Sequence, residues 1–161
     1  MIEQLLARQA IADLAVRYSL AVDDHDIETV LSCFTPDGVL VRRGVAVSGA
    51  QLRPFFQRMT GRYGLTVHTV HGLLVTVDGP TATGVQAGSA ELFLEGTMMR
   101  ATYRYRDSYV CQDGRWLFGR RELAFAYAVP AGQPFPAGVD RIRWPGAAPE
   151  PADYPETLPT W

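Results

Sequence analysis

Two of the chain's three histidines lie in one strand-like run, Thr66-Val67-His68-Thr69-Val70-His71. A histidine titrates at a pH of about 6.5, so it can accept and return a proton at neutral pH. Because His68 and His71 are three residues apart, a strand directs them to opposite faces, and they cannot bind the same metal ion. Only His25 remains, and no HExxH or Cys/His cluster occurs. The sequence therefore predicts proton transfer and no metal site.

The alternation along this strand does not decide which histidine faces inward. The face of His71 also carries Val67, Thr69, Leu73 and Val75. Parity alone therefore gives no preference for His68 over His71. One surface histidine and one hydrogen-bonded core histidine is an equally valid interpretation of the pattern.

Three aspartates follow the first amphipathic segment, in Val22-Asp23-Asp24-His25-Asp26. At least one is expected to cap the next helix. Asp23 comes directly after the apolar stripe, so it is the carboxylate most favoured to face inward, where it needs a partner because an unpaired buried charge is costly. Tyr18 lies five positions earlier on the same stripe and could share that pocket. The alternative is that all three aspartates are caps and solvated surface.

Residues 98–112 alternate between two kinds of side chain. Tyr103, Tyr105 and Asp107 share the parity that we predict to face inward, and a row of arginines shares the other. Inward tyrosines could line a ligand pocket, or they could form a core in which each hydroxyl has a partner. The pattern leaves both interpretations open.

Two further polar positions occur in apolar surroundings. Glu91 directly precedes Leu92-Phe93-Leu94, and the face on which it lies depends on the length of the next turn. Arg120 and Arg121 point to opposite faces of a strand, so one of them could meet an internal acid.

The composition excludes several classes of function. Fifteen basic and seventeen acidic residues give a net charge of −2, which provides no bulk attraction to nucleic acid or to an anionic membrane. Every basic residue is an arginine and no asparagine occurs, so Schiff-base chemistry, a P-loop lysine and N-glycosylation are excluded. No GxSxG, GxGxxG or CxxC motif is found.

The first 23 residues lack the unbroken hydrophobic region that is typical of a signal peptide, and no apolar run reaches the ~18 residues that cross a bilayer. Cys33 and Cys111 are far apart and lack metal-ligand spacing. We therefore expect a cytoplasmic protein with two buried, inert thiols.

Helical periodicity dominates the first third of the chain. Residues 2–22 carry an apolar stripe of Ile11, Leu14, Ala15, Tyr18 and Val22. A second short helix, with Phe34 on its apolar side, is predicted to end at Thr35-Pro36-Asp37-Gly38. A short strand at 39–41 follows, and then a third helix at about 51–60 that presents Phe55 and Phe56.

From residue 65 the period changes to two. Strand-like runs at 65–77, 81–94, 98–112 and 115–128 are separated by Asp-Gly, Glu-Gly and Asp-Gly turns, so successive strands should pair antiparallel. This order predicts an α+β domain over residues 1–130, with helices packed on one face of a curved antiparallel sheet. Residues 131–161 form a proline-rich tail that we expect to pack on the domain or on a neighbouring subunit.

Four motifs, in this order and spacing, resemble the SnoaL-like branch of the nuclear transport factor 2 superfamily over residues 3–128. They are Tyr18-x4-Asp23-x2-Asp26, Phe34-Thr35-Pro36-Asp37-Gly38, His68 ten residues before Asp78-Gly79, and Tyr103-Arg104-Tyr105-Arg106-Asp107 leading to Asp113-Gly114-Arg115-Trp116. The resemblance implies a cone-shaped fold, in which a strongly bent antiparallel sheet wraps around the helices and leaves a pocket at its open end.

Within that superfamily the chain resembles scytalone dehydratase and bile-acid 7α-dehydratase. The resemblance implies that Asp23 and His68 form a catalytic pair, that Tyr18 is a catalytic tyrosine, and that Glu91 lies near the substrate. One departure is that Arg42 or a neighbour replaces a tyrosine that engages the substrate carbonyl in scytalone dehydratase.

These observations together predict a cofactor-independent acid–base enzyme, most simply a dehydratase. Its substrate would be a small hydrophobic cyclic molecule, polyketide- or steroid-like, bound among Phe55, Phe56, Tyr103 and Tyr105. The alternatives are an isomerase or polyketide cyclase with Asp23 as the base, and a non-catalytic ligand-binding or assembly subunit. The family resemblance further implies a homodimer or homotrimer. From the charge balance and the lack of a long apolar run we expect neither nucleic acid nor membrane as a partner.

Overall fold

Three α-helices lie in the first part of the chain in the computed structural model, which describes residues 2–155. Helix α1 spans Ile2–Asp23, α2 spans Ile27–Ser32 and α3 spans Leu52–Thr60. A single 3-10 turn, Gly49–Gln51, leads into α3. Within the described residues, no helix is long and apolar enough to cross a membrane.

The second helix is shorter than predicted. Asp26 is its N-cap and accepts a hydrogen bond from the backbone N–H of Thr29 at 3.0 Å, which confirms that one of the three aspartates is a cap. The helix ends at Ser32, and Phe34, expected on its apolar side, instead begins a strand and pairs with Phe118. A proline at position 36 favours extended backbone in the preceding residue, so the helical pattern stops early.

Six strands form a single sheet. Their bounds are β1 Phe34–Arg42, β2 Val45–Ser48, β3 Tyr63–Asp78, β4 Thr81–Leu94, β5 Thr97–Gln112 and β6 Arg115–Pro130. Two-residue turns join the last four strands; in the turn between β4 and β5, Glu95 and Gly96 have φ angles of 51° and 83°. Positive φ at both central residues is the signature of the type I′ hairpin turn, so the predicted antiparallel order of these strands is confirmed.

The strand order is β2-β1-β6-β5-β4-β3, and β2 and β3 are the edges of this curved, unclosed sheet. All neighbours are antiparallel except β1 and β6, which run parallel. The α+β prediction is confirmed, but the sheet is mixed. The parallel pair joins strands more than 70 residues apart in sequence, a contact that no hairpin signal could predict.

Helix α1 packs across the inner face of the sheet. The five residues of the predicted apolar stripe, from Ile11 to Val22, are all buried, which confirms that stripe. Cys33 is buried as expected, but Cys111 is only half-buried, because it lies next to the exposed turn that joins β5 to β6. Both cysteines are free thiols.

Residues 131–155 run back over the domain. Ile142 is fully buried and forms isolated bridges with Ala128 and Glu150. The side chain of Arg43 binds Glu150 and Asp153 and so fixes this segment to the β1–β2 hairpin. The last of the tail's aromatic residues, Trp161, lies outside the described residues.

Candidate active site

In strand β3, the set of alternate side chains that points inward changes at the centre of the strand. A β-bulge between Val70 and Gly72 interrupts its pairing with β4. The bulge inserts one extra residue and so inverts the inward parity beyond it. Thr66 is buried before the bulge and Val75 after it, although they have opposite parities. This is why alternation could not choose between the histidines.

The structure places His68 on the inner face and His71 on the outer one. The ring of His68 lines a cavity between the sheet and the helices. His71 is exposed, and its Nε2 lies 3.0 Å from the hydroxyl of Ser89. The interpretation favoured by the family resemblance, with His68 inward, agrees with this placement.

Asp23 and His68 contact each other through two hydrogen bonds. The Nδ1 of His68 lies 2.6 Å from Oδ1 of Asp23, and the backbone N–H of His68 donates to Oδ2 at 2.8 Å. Asp23 is the last residue of α1, so the helix end delivers the carboxylate to β3. The side chains of His68 and Asp23 are 14% and 15% exposed, which leaves the pair accessible from one side.

The charge state of Asp23 fixes the orientation of the imidazole. Burial disfavours its carboxylate, but the hydrogen bonds from His68 outweigh burial and lower the pKa of Asp23 below its usual value. An ionised Asp23 can only accept, so the proton between the two side chains belongs to Nδ1 of His68. The Nε2 atom, which has no hydrogen-bond partner among the described residues, then carries the lone pair of a general base.

Tyr18 lines the same cavity and contacts Tyr105 edge-on, with ring centroids 6.3 Å apart. Burial, together with the Tyr105 hydroxyl, raises the pKa of Tyr18 well above its usual value. Its phenol therefore stays protonated, and it shares a hydrogen bond with the Tyr105 hydroxyl, so donation to a bound molecule would replace that bond. The prediction that Tyr18 shares a pocket with the Asp23 pair agrees with its position.

Tyr103 packs beside the catalytic candidate, with ring centroids of Tyr103 and His68 5.9 Å apart. Its hydroxyl is buried without a hydrogen-bond partner in the described part of the chain. The ring fits because Gly88 lies opposite on β4: a Cβ there would come within 2.6 Å of the Tyr103 hydroxyl. Among the described residues, the hydroxyl is therefore a buried, unpaired donor on a residue that lines the cavity.

The cavity has a volume of about 840 Å³, in the range of small-molecule sites. Its walls are mainly apolar and include Phe55 and Phe56, as predicted for a substrate pocket. The C-terminal segment closes part of it through Trp144. The structure thus brings together all the predicted site residues except Glu91.

Glu91 is a correction to the predicted site. The turn between β4 and β5 has two residues, which sets Glu91 opposite Arg100 on the outer face of the sheet. Its side chain is exposed and lies away from the cavity, while its neighbours Ala90 and Leu92 face inward. The sequence around Glu91 does not show on which face of the sheet its side chain lies, because the length of the following turn decides the face.

A second charged pair lies deeper in the core. Arg121 and Asp107 are completely buried, with 3.5 Å between Nε and Oδ1. The guanidinium stacks on the rings of Tyr105 and Tyr18, with Cζ 3.6 Å and 4.4 Å from their centroids. Arg121 is therefore the arginine that meets an internal acid, and it supports two cavity tyrosines from behind.

Metal ligation does not account for this arrangement of side chains. Across residues 2–155, no group of three or more His, Cys, Asp and Glu side chains is placed to hold a metal ion. The chemistry available to the cavity's own residues is proton transfer at His68 and hydrogen-bond donation from tyrosines and arginines.

Comparison with protein families identifies the fold. The SnoaL-like domain model matches residues 3–122. The chain belongs to the SnoaL-like family. A comparison with curated proteins finds no significant match. The SnoaL-like assignment agrees with the helix-then-sheet order and with a cavity between the two layers.

Solved structures show the same SnoaL-like fold. The hexachlorocyclohexane dehydrochlorinase LinA-type3 of Novosphingobium barchaimii LL02 is 20% identical, with a TM-score of 0.75 over 85% of this chain and 99% of that chain. A scytalone dehydratase-like protein of Novosphingobium aromaticivorans DSM 12444 is 20% identical, with a TM-score of 0.74 over 83% and 99%. Rv3472 of Mycobacterium tuberculosis, of unknown function, is 29% identical, with a TM-score of 0.69 over 84% and 82%.

Proposed function

We propose that the protein is a cofactor-independent acid–base enzyme that eliminates water from a small hydrophobic cyclic hydroxyketone of polyketide or steroid type. The observation that carries this proposal is the contact between Asp23 and His68 at the wall of an apolar cavity. Two structural neighbours bear the names of a dehydrochlorinase and a dehydratase-like protein, and both names denote eliminations, which supports the same reaction type.

In this proposal, Nε2 of His68 removes a proton from the carbon beside the substrate carbonyl. The released electron pair forms the new C=C bond while the C–O bond to the hydroxyl breaks. The imidazolium, stabilised by Asp23, returns its proton to the departing hydroxide, which leaves as water. Tyr18 donates a hydrogen bond to the carbonyl oxygen, where negative charge develops.

The arrangement favours His68 over Asp23 as the base. Both carboxylate oxygens of Asp23 already accept hydrogen bonds from His68, and the imidazole lies on the cavity side of the pair. An isomerase or cyclase that used Asp23 directly would need one of its oxygens to reach the ligand, whereas His68 and not Asp23 lines the cavity.

Turnover of a series of cyclic β-hydroxyketones, followed by the absorbance of the conjugated enone, tests the proposal. General acid–base catalysis contributes about 10²–10⁴-fold, so His68→Ala should lose that factor in kcat. His71→Ala is the matched control, because His71 lies on the outer face, and it should retain wild-type turnover. Near-normal turnover by a folded His68→Ala protein would refute the mechanism, and loss confined to Asp23→Asn would favour Asp23 as the base.

A further inference from the structure

Arg42 occupies an unusual place in the wall of the cavity. It lies on β1 opposite Leu123 of β6, and both residues line the cavity. Its guanidinium stacks on the rings of Phe125 and Trp144, with Cζ 5.0 Å and 6.0 Å from the two centroids. A permanent positive charge is thus held among aromatic side chains next to the ligand space.

The guanidinium of Arg42 is only partly satisfied. Its Nε and Nη2 atoms are buried and have no hydrogen-bond partner within the described residues. Buried donors nearly always have a partner, since burial removes the hydrogen bonds that water supplied. Burial lowers the pKa of Arg42, but an arginine side chain remains charged at any physiological pH.

The nearby acidic side chains are engaged by other arginines. Glu150 and Asp153 form ion pairs with Arg43. Arg62, another arginine of the cavity wall, is paired with Glu95. Over residues 2–155, Arg42 itself forms no ion pair, and Asp153 and Glu150 act on its charge only from a longer distance.

We propose that Arg42 binds a carboxylate of the ligand, and that the substrate class is therefore a cyclic, hydrophobic carboxylic acid. The planar fork of a guanidinium matches the two oxygens of a carboxylate, and an apolar, water-poor cavity strengthens that contact. The inference rests on the proposed function in one respect. The molecule whose carboxylate binds Arg42 is taken to be the substrate, whose reacting carbon lies at His68.

The test uses 2-naphthoate and 2-naphthamide, which have nearly the same shape but differ in charge. Isothermal titration of the full chain at about 0.5 M NaCl screens exposed arginines. Wild-type protein should bind 2-naphthoate at least about tenfold more tightly than 2-naphthamide, equivalent to about 1.4 kcal/mol. Arg42→Gln should reduce this ratio to near one by weakening naphthoate binding alone.

Two controls keep the result interpretable. Arg42→Met retains the length and apolar stacking of the side chain, so it tests the charge if Arg42→Gln folds poorly. Arg115→Gln removes the same charge from an exposed position in the β5–β6 hairpin and should leave the ratio unchanged.

Three results would overturn the inference. They are equal or absent binding of the two probes by wild type, a persistent preference in both Arg42 variants, and loss of the preference in Arg58→Gln, which would place the carboxylate at the exposed arginine of α3.

His68→Ala separates this inference from the proposed function. It should keep the naphthoate preference, so failure to turn over hydroxyketones leaves the binding result intact.

Discussion

Two pairs of ionisable side chains in this domain differ in what surrounds them. The side chains of Asp23 and His68 are each about one-seventh exposed, and both carboxylate oxygens of Asp23 accept a hydrogen bond from His68. The side chains of Asp107 and Arg121 have no exposed surface, and Nε and Nη1 of Arg121 have no hydrogen-bond partner among the described residues. The first pair faces a cavity and can exchange a proton with a ligand. The second lies among aromatic rings and is tied by hydrogen bonds to Tyr109 and Gln86, so it holds its neighbours in place.

The largest expected effect is at the enclosed pair. Arg121→Met leaves the carboxylate of Asp107 buried without its cation and should lower the free energy of unfolding by about 3–5 kcal/mol. Arg120→Gln is the matched control. Arg120 pairs with Glu122 on the surface at 3.0 Å, and such exposed pairs contribute about 0–1 kcal/mol. Urea unfolding followed by circular dichroism measures both.

A double variant sharpens this prediction. Arg121→Met combined with Asp107→Leu removes both charges, and replacement of a buried ion pair by apolar residues is often neutral or stabilising. The double variant should therefore recover most of the loss. A loss below about 1 kcal/mol in Arg121→Met alone would show that the guanidinium is not essential to the core.

The cavity pair should have a smaller effect on stability. Asp23→Asn weakens two hydrogen bonds to a charged group, and we expect a loss of about 1–2 kcal/mol at neutral pH. The control is Asp24→Asn, because Asp24 is exposed and adjacent in sequence; its cost should be within about 0.5 kcal/mol. Equal losses in the two variants, measured by urea unfolding, would contradict the assigned contact.

The smallest effect is the pH dependence of the same pair. The pKa of Asp23 is lowered in the folded protein, so its stabilisation is complete above the usual carboxyl pKa of about 3.9 and is lost as the pH falls through the lower folded value. The difference in Tm between wild type and Asp23→Asn should shrink as the pH is lowered from about 5 to about 2.5. A difference that widens with acid would show the opposite sign of the shift.

The sequence predicted those parts of the fold that depend on local pattern. The strict alternation of β5 correctly placed Tyr103, Tyr105 and Asp107 inward, because the pairing of β5 with β4 contains no bulge. In β3 the same reasoning failed, since a bulge has no reliable sequence signal and inverts parity without changing composition. Only resemblance to a family distinguished His68 from His71.

Non-local contacts account for most of what was missed. The parallel pairing of β1 with β6 brings Leu40 opposite Arg121 and Arg42 opposite Leu123, and neither contact leaves a trace in sequence spacing. The arginines of β5 could be assigned outward by alternation, but the burial of Arg121 depends on an acid from another strand. The lack of hydrogen-bond partners for Nε and Nη2 of Arg42 among the described residues likewise cannot be predicted from the sequence, because it depends on which side chains surround the guanidinium.

The bulge in β3 also divides the long β3–β4 hairpin into two parts with different registers. The register of the part that carries His68 is set by its pairing from Thr66↔Leu92 to Val70↔Gly88, and the far part, from Gly72 onward, has its own register. The turn at Gly79, at the far end, can therefore be lengthened or replaced without rotating the imidazole. This makes that turn a suitable place to graft a reporter loop while the candidate active site stays intact.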